Sequence, residues 1–181
     1  MAPKKNIDLA HVFENRNFNA KELAKTILEN KLENELLIYA LSDNQLVSNR
    51  AIWVLTHCAD IDPERIRPFH ELLINHLKKN KLHSGVVRSI VRIFQTQPVP
   101  KKLQSFMLDK CYDFIKNPSE AIAVRAFAMT VVFNISKPYP ELLNELSIVL
   151  NHLNIEEESA GIINRAKHTL KDIAKLKLKN K

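Results

Sequence analysis

Seven histidines, His11, His57, His70, His76, His83, His152 and His168, are the residues of this chain best suited to hold a metal or move a proton. Their spacing does not support it. There is no His-Glu-x-x-His and no Cys-x-x-Cys, and His70 and His76, six apart, fall on opposite sides of a helix. Cys58 and Cys111 are the only cysteines, and both lie in apolar stretches where a thiol acts as a small buried hydrophobe. No Gly-x-Ser-x-Gly, Walker loop or dinucleotide fingerprint occurs. Carboxylates cluster at Glu33/Glu35 and at Glu156-Glu157-Glu158. The second group precedes a helix, whose positive N-terminal end favours carboxylates without any catalytic role. These residues predict no enzyme, no cofactor and no metal centre.

The remaining chemistry is charge. Between Glu71 and Asp109 there is no acidic residue, whereas Lys78, Lys79, Lys81, Arg88, Arg92, Lys101 and Lys102 are all basic. A block of that kind can neutralise phosphates, or it can be a solvated face or meet an acidic protein. The formal net charge of +7 argues less, because Lys4, Lys5, Lys175, Lys177, Lys179 and Lys181 lie near the two ends.

The elements that must carry these side chains read as helices. Only two glycines, Gly85 and Gly161, are present, too few for the turns of a β-rich fold. Asn19 with Glu22 forms the two halves of a capping box ahead of Leu23, Ile27 and Leu28. A second helix is expected over about residues 32–41, and Ser42 and Asp43 offer N-caps for a third, running to about Cys58. Asp62-Pro63, Val99-Pro100 and Tyr139-Pro140 predict later helix starts, since proline is tolerated in a first turn. Pro68 predicts a break before the regular helix that follows it.

One motif recurs on alternate helices: Arg50-Ala51, Arg88-Ser89, Arg125-Ala126 and Arg165-Ala166, with arginines 38, 37 and 40 residues apart. That period suits two-helix repeats. The small residue after each arginine is expected where two axes approach closely, and Trp53, Leu55, Ile90, Ile93, Phe127, Val131 and Leu170 are expected in one core. Arg50, Arg125 and Arg165 are expected to be structural, threading between repeats to reach helix C-terminal carbonyls.

With Val87-Arg88-Ser89 and Val124-Arg125-Ala126 in place, the pattern resembles HEAT or armadillo-type α-solenoid repeats over about residues 20–175. The resemblance implies an all-α, right-handed α-α superhelix of about four HEAT-like helix pairs. Residues 1–18 would be a tail with a short capping helix built on Leu9, Val12 and Phe13, residues 19–176 one repeat domain, and residues 177–181 a basic tail. In such repeats an acidic residue ahead of the arginine pairs with a neighbouring repeat's arginine, and Asp43 and Glu158 stand at such positions. The function implied is a non-catalytic scaffold for an unknown protein partner. The alternative is a nucleic-acid-binding relative of the HEAT-like alkylpurine DNA glycosylases, using the basic block between residues 78 and 102. No stretch is apolar enough to cross a bilayer and no signal-peptide core is present, so a cytoplasmic protein is expected.

Overall fold

Several helices of this chain begin where a short polar side chain captures free N–H groups, and several end where a side chain from further along the chain reaches a carbonyl of the last turn. The computed structural model describes residues 7–15, 17–79, 81–153 and 156–179, so Lys4, Lys5 and Lys181 lie outside the described residues. Among the described residues the chain is all-α, without strands. It forms two compact units, Met1–Ile93 and Phe94–Lys181.

The first unit contains α1 (Leu9–Glu14), α2 (Ala20–Asn30), α3 (Glu33–Ala40), α4 (Gln45–Ile61), α5 (Pro63–Ile66), α6 (His70–His76) and α7 (Ser84–Ile93). Asn19 caps α2 by accepting from the N–H groups of Lys21 and Glu22 at 3.0 and 3.1 Å. Asn44 caps α4, accepting from Leu46 and Val47 at 3.1 and 3.3 Å. The expected caps Ser42 and Asp43 do not serve. Asn44 has the extended backbone that a cap requires and stands immediately before the first helical turn. Pro68 sits in a 3-10 turn, Arg67–Phe69, and the regular helix α6 begins only after it, as its ring demands.

Helix α4 is the centre of this unit, packing on α1, α2, α3, α5 and α7. Ala51, Ile52, Val54, Leu55, Cys58 and Ala59 are its buried side. Gly85 lies close to α4: a Cβ there would stand 1.9 Å from Asn49 Oδ1, so the Asn49 side chain would have to swing aside. The expected small residues Ala51 and Ser89 are buried at this contact.

The second unit contains α8 (Gln104–Lys116), α9 (Ile122–Ser136), α10 (Pro140–Asn151) and α11 (Ala160–Lys179). Lys175, Lys177 and Lys179 are therefore helical, and Lys177 Nζ donates to Asn144 Oδ1 at 2.6 Å. Helix α9 packs on α8, α10 and α11, burying Val124, Ala128, Met129, Val131, Val132 and Ile135. Ala166 is buried as expected, but Ala126 is only half-buried and faces a groove. Phe127 and Leu170 are half-buried too.

Side chains then close the helix ends. Ser48 Oγ donates to Ala40 O at 2.6 Å at the end of α3. Arg50 Nη1 donates to Phe13 O and Glu14 O at 2.6 and 3.0 Å at the end of α1. Arg65 Nη1 donates to Leu28 O at 2.5 Å near the end of α2 and pairs with the buried Glu33. Arg125 donates to Ile115 O through Nε and Nη2, at 3.2 and 3.0 Å, near the end of α8. Its other edge meets Glu158, with Nη1 to Oε2 at 2.8 Å and Nη2 to Oε1 closer still.

Replacing Arg125 by alanine leaves Glu158 and the α8 carbonyl without their partner and should destabilise the protein by about 3 kcal/mol. Lysine should recover only part, since it lacks the planar fork. Urea denaturation checks this; an unchanged midpoint for R125A would contradict the arrangement. Burial pushes the thiols of Cys58 and Cys111 up to about 12, aided at Cys58 by Glu33. A disulfide thiol reagent at neutral pH should therefore titrate neither cysteine in the native protein and both after denaturation.

Candidate functional site

Two exposed surfaces gather the side chains that could meet a ligand, one in each unit. In the first unit the side of α4 away from the core carries Asn49, Trp53, His57 and Asp60, spaced four, four and three residues apart. The adjoining side of α7 carries Gly85, Arg88 and Arg92, spaced three and four apart. The two rows meet at both ends. Asn49 lies against Gly85, and Arg92 pairs with Asp60 through two hydrogen bonds of 3.3 and 2.8 Å.

Trp53, expected in the core, is 47% exposed. The buried arc of α4 is already filled by Ala51, Ile52, Leu55, Thr56 and Ala59, and at 100° per residue position 53 falls on the far side. Its ring lies in a row between Phe18, at 6.2 Å between centroids, and His57, at 5.8 Å. Partial burial holds His57 below its ordinary value, with Arg92 and Lys21 acting in the same direction and Asp60 opposing. The imidazole is thus neutral at physiological pH and extends the aromatic row. Arg88 is exposed. The signal for this row was present in the sequence, because Asn49, His57 and Asp60 share the phase of Trp53.

The basic block is divided. Lys78, Lys79, Lys81, Arg88 and Arg92 belong to the first unit, Lys101 and Lys102 to the second. Lys79 pairs with Asp43 at 2.8 Å and holds that carboxyl below its usual range. Arg92 is committed to Asp60. Lys81 has a left-handed backbone, φ 61°, ahead of α7. With Lys79, Asp43, His76 and His83 it lines a polar pocket of about 240 Å³. His76 is buried there, and burial together with Lys79 lowers its proton affinity. Lys101 and Lys102 are exposed on a 3-10 turn, Lys101–Leu103.

In the second unit α9 and α11 flank a groove of about 560 Å³. Ala126 and Gly161 lie along it, with Thr130, Asn164, Arg165 and Asp172 among its polar walls. Arg165 Nη1 donates to Thr130 Oγ1 at 2.7 Å. Asn134 Nδ2 donates to Gln95 O at 2.8 Å. The repeat arginines therefore differ: Arg50 and Arg125 meet helix-end carbonyls, Arg165 meets a hydroxyl at a groove wall, and Arg88 faces solvent.

Among the described residues no group of three or more His, Cys, Asp or Glu side chains is placed to hold a metal ion, and no helix is long and apolar enough to cross a membrane. No curated protein and no solved structure matches the chain. A family model described as the HEAT repeat domain matches residues 9–173. The helix pairs, the recurring arginine and the pairing of Arg125 with a carboxylate seven residues ahead of the next one agree with that match, and the chain belongs to the HEAT repeat family.

Proposed function

We propose that this HEAT repeat chain is a non-catalytic scaffold that binds a partner protein through the surface formed by α4 and α7. The observation that supports it is Trp53, a large aromatic 47% exposed on α4, with Arg88 exposed on α7, which packs against that helix. Tryptophan and arginine are the residues most enriched among those that dominate binding energy at protein interfaces. Trp53 presents a rigid apolar face, and Phe18 and His57 fix its position without covering it. Arg88 adds a planar donor fork one turn beyond the Asn49 and Gly85 contact.

A nucleic acid is the second reading, resting on the basic block. It draws on fewer cations than the sequence counts, because Lys79 and Arg92 already hold Asp43 and Asp60. A phosphate backbone recognised without base contacts needs many cations at once. An acidic or apolar protein surface needs only the tryptophan and one or two of them.

Affinity capture from native lysate with the wild-type chain and with W53A tests the reading. A partner retained by wild type should be lost with W53A, whose affinity is expected to fall by about 2 kcal/mol, roughly 30-fold in Kd. Equal recovery with both chains would remove this surface from consideration. Binding to duplex or single-stranded nucleic acid at low salt, abolished when Lys78, Lys79, Lys101 and Lys102 are changed to glutamate, would favour the second reading instead.

A further inference from the structure

The four repeat arginines allow a comparison at one structural position. Arg50 is matched by two main-chain carbonyls, and Arg125 by a carbonyl and a carboxylate. Arg165, half-buried like Arg50, has among the described residues one neutral partner, the Thr130 hydroxyl. A guanidinium carries five N–H donors and keeps its charge at any physiological pH. Partial removal of such a cation from water is unfavourable unless an anion or several acceptors face it. Arg165 stands in the wall of the α9 and α11 groove with most of those donors unmatched among the described residues.

The groove itself has a polarity. Its Arg165 end carries a fixed positive charge and is the end nearer the start of α11. Asp172 lies two turns further along the same helix face, about 10 Å away at 1.5 Å per residue. Asp172 has Lys175 at 3.8 Å, a loose and exposed neighbour that an incoming cation can replace. Ala126 and Gly161, which line the groove, offer almost no side chain, and a Cβ added at Gly161 would make ordinary contact with Ile122 Cγ2 at 3.5 Å. Asn164 and Thr130 add donors and acceptors that suit peptide groups.

We propose that this groove receives a segment of a protein partner that seats a carboxylate side chain on Arg165 and brings a basic side chain, about 10 Å further on, to Asp172. The planar carboxylate matches the open edge of the guanidinium, where two parallel hydrogen bonds form. A polyanion such as a nucleic-acid strand is disfavoured, because Asp172 lies in its path. The inference takes from the preceding reading only that the chain binds proteins. Its site is in the other unit and its test does not involve Trp53, so the two can fail separately.

The test is selection of a random-peptide display library on the full chain, with counter-selection on R165Q. The expected binders share an aspartate or glutamate at one position and a lysine or arginine at a fixed offset. A resynthesised binder should lose roughly tenfold in affinity against R165Q, and by the same factor when its own acidic residue is amidated, with R165K intermediate. D172N should weaken only peptides that carry the basic residue. On the wild-type chain the Nε–H resonance of Arg165 should shift on titration, a readout that does not depend on any variant folding. Binders indifferent to Arg165, no enrichment at all, or an Arg165 resonance that inorganic phosphate moves as far as the peptide does would each overturn the proposal.

Discussion

A helix leaves its last four carbonyls without intrahelical partners, and a protein of many short helices meets that demand over and over. This chain meets it with side chains borrowed from helices further along. Ser48 serves α3, Arg50 serves α1, Arg65 serves α2 and Arg125 serves α8. Arginine suits the task because its long stem crosses from one helix to another while its fork reaches two acceptors. The same bonds favour a cation at the negative end of a helix dipole. Helix α1, six residues long and too short to persist alone, is held by Arg50 and by the burial of Leu9 and Phe13.

Much of this was legible in the sequence, for reasons that can be named. The arginine period survives because each copy answers the same geometric demand, and the prolines mark starts because a missing N–H is harmless in a first turn. The partner of Arg125 was legible in part: Glu158 stands several residues ahead of the next arginine, where such repeats carry a pairing acid, whereas Asp43 at the matching position meets Lys79 and not an arginine. Less legible were matters of phase. Trp53 reads as core by residue type alone, and only its rotation relative to Ala51, Ile52 and Leu55 puts it outside. Ala126 reads as a close-packing residue, yet α9 and α11 leave a groove beside it. Which repeat arginine meets a helix-end carbonyl and which meets only a hydroxyl depends on where one helix ends relative to another, and no local pattern records that.

The charge of the chain illustrates the same distinction between composition and placement. A net +7 and a run without acidic residues suggest a basic face. In the folded chain, Asp43 and Asp60, which lie outside that run in sequence, come to lie against Lys79 and Arg92. Both pairs are exposed and add little to stability. Their effect is on recognition, since they remove two cations from the set that any ligand can use and leave Arg88 as the more available one on α7.

The contact between Arg125 and Glu158 joins residues 33 positions apart and therefore belongs to the boundary between neighbouring repeats rather than to either one. In a linear array, the strength of such nearest-neighbour terms relative to the intrinsic stability of each repeat decides whether the array melts link by link or all together. The carbonyl bonds of Arg125 tie α9 to α8 within a repeat, while its carboxylate bond ties it to the segment leading into α11. One side chain thus enters both terms. Loosening the segment that leads into α11 strips Arg125 of its counter-ion, so the contact couples the stability of neighbouring repeats.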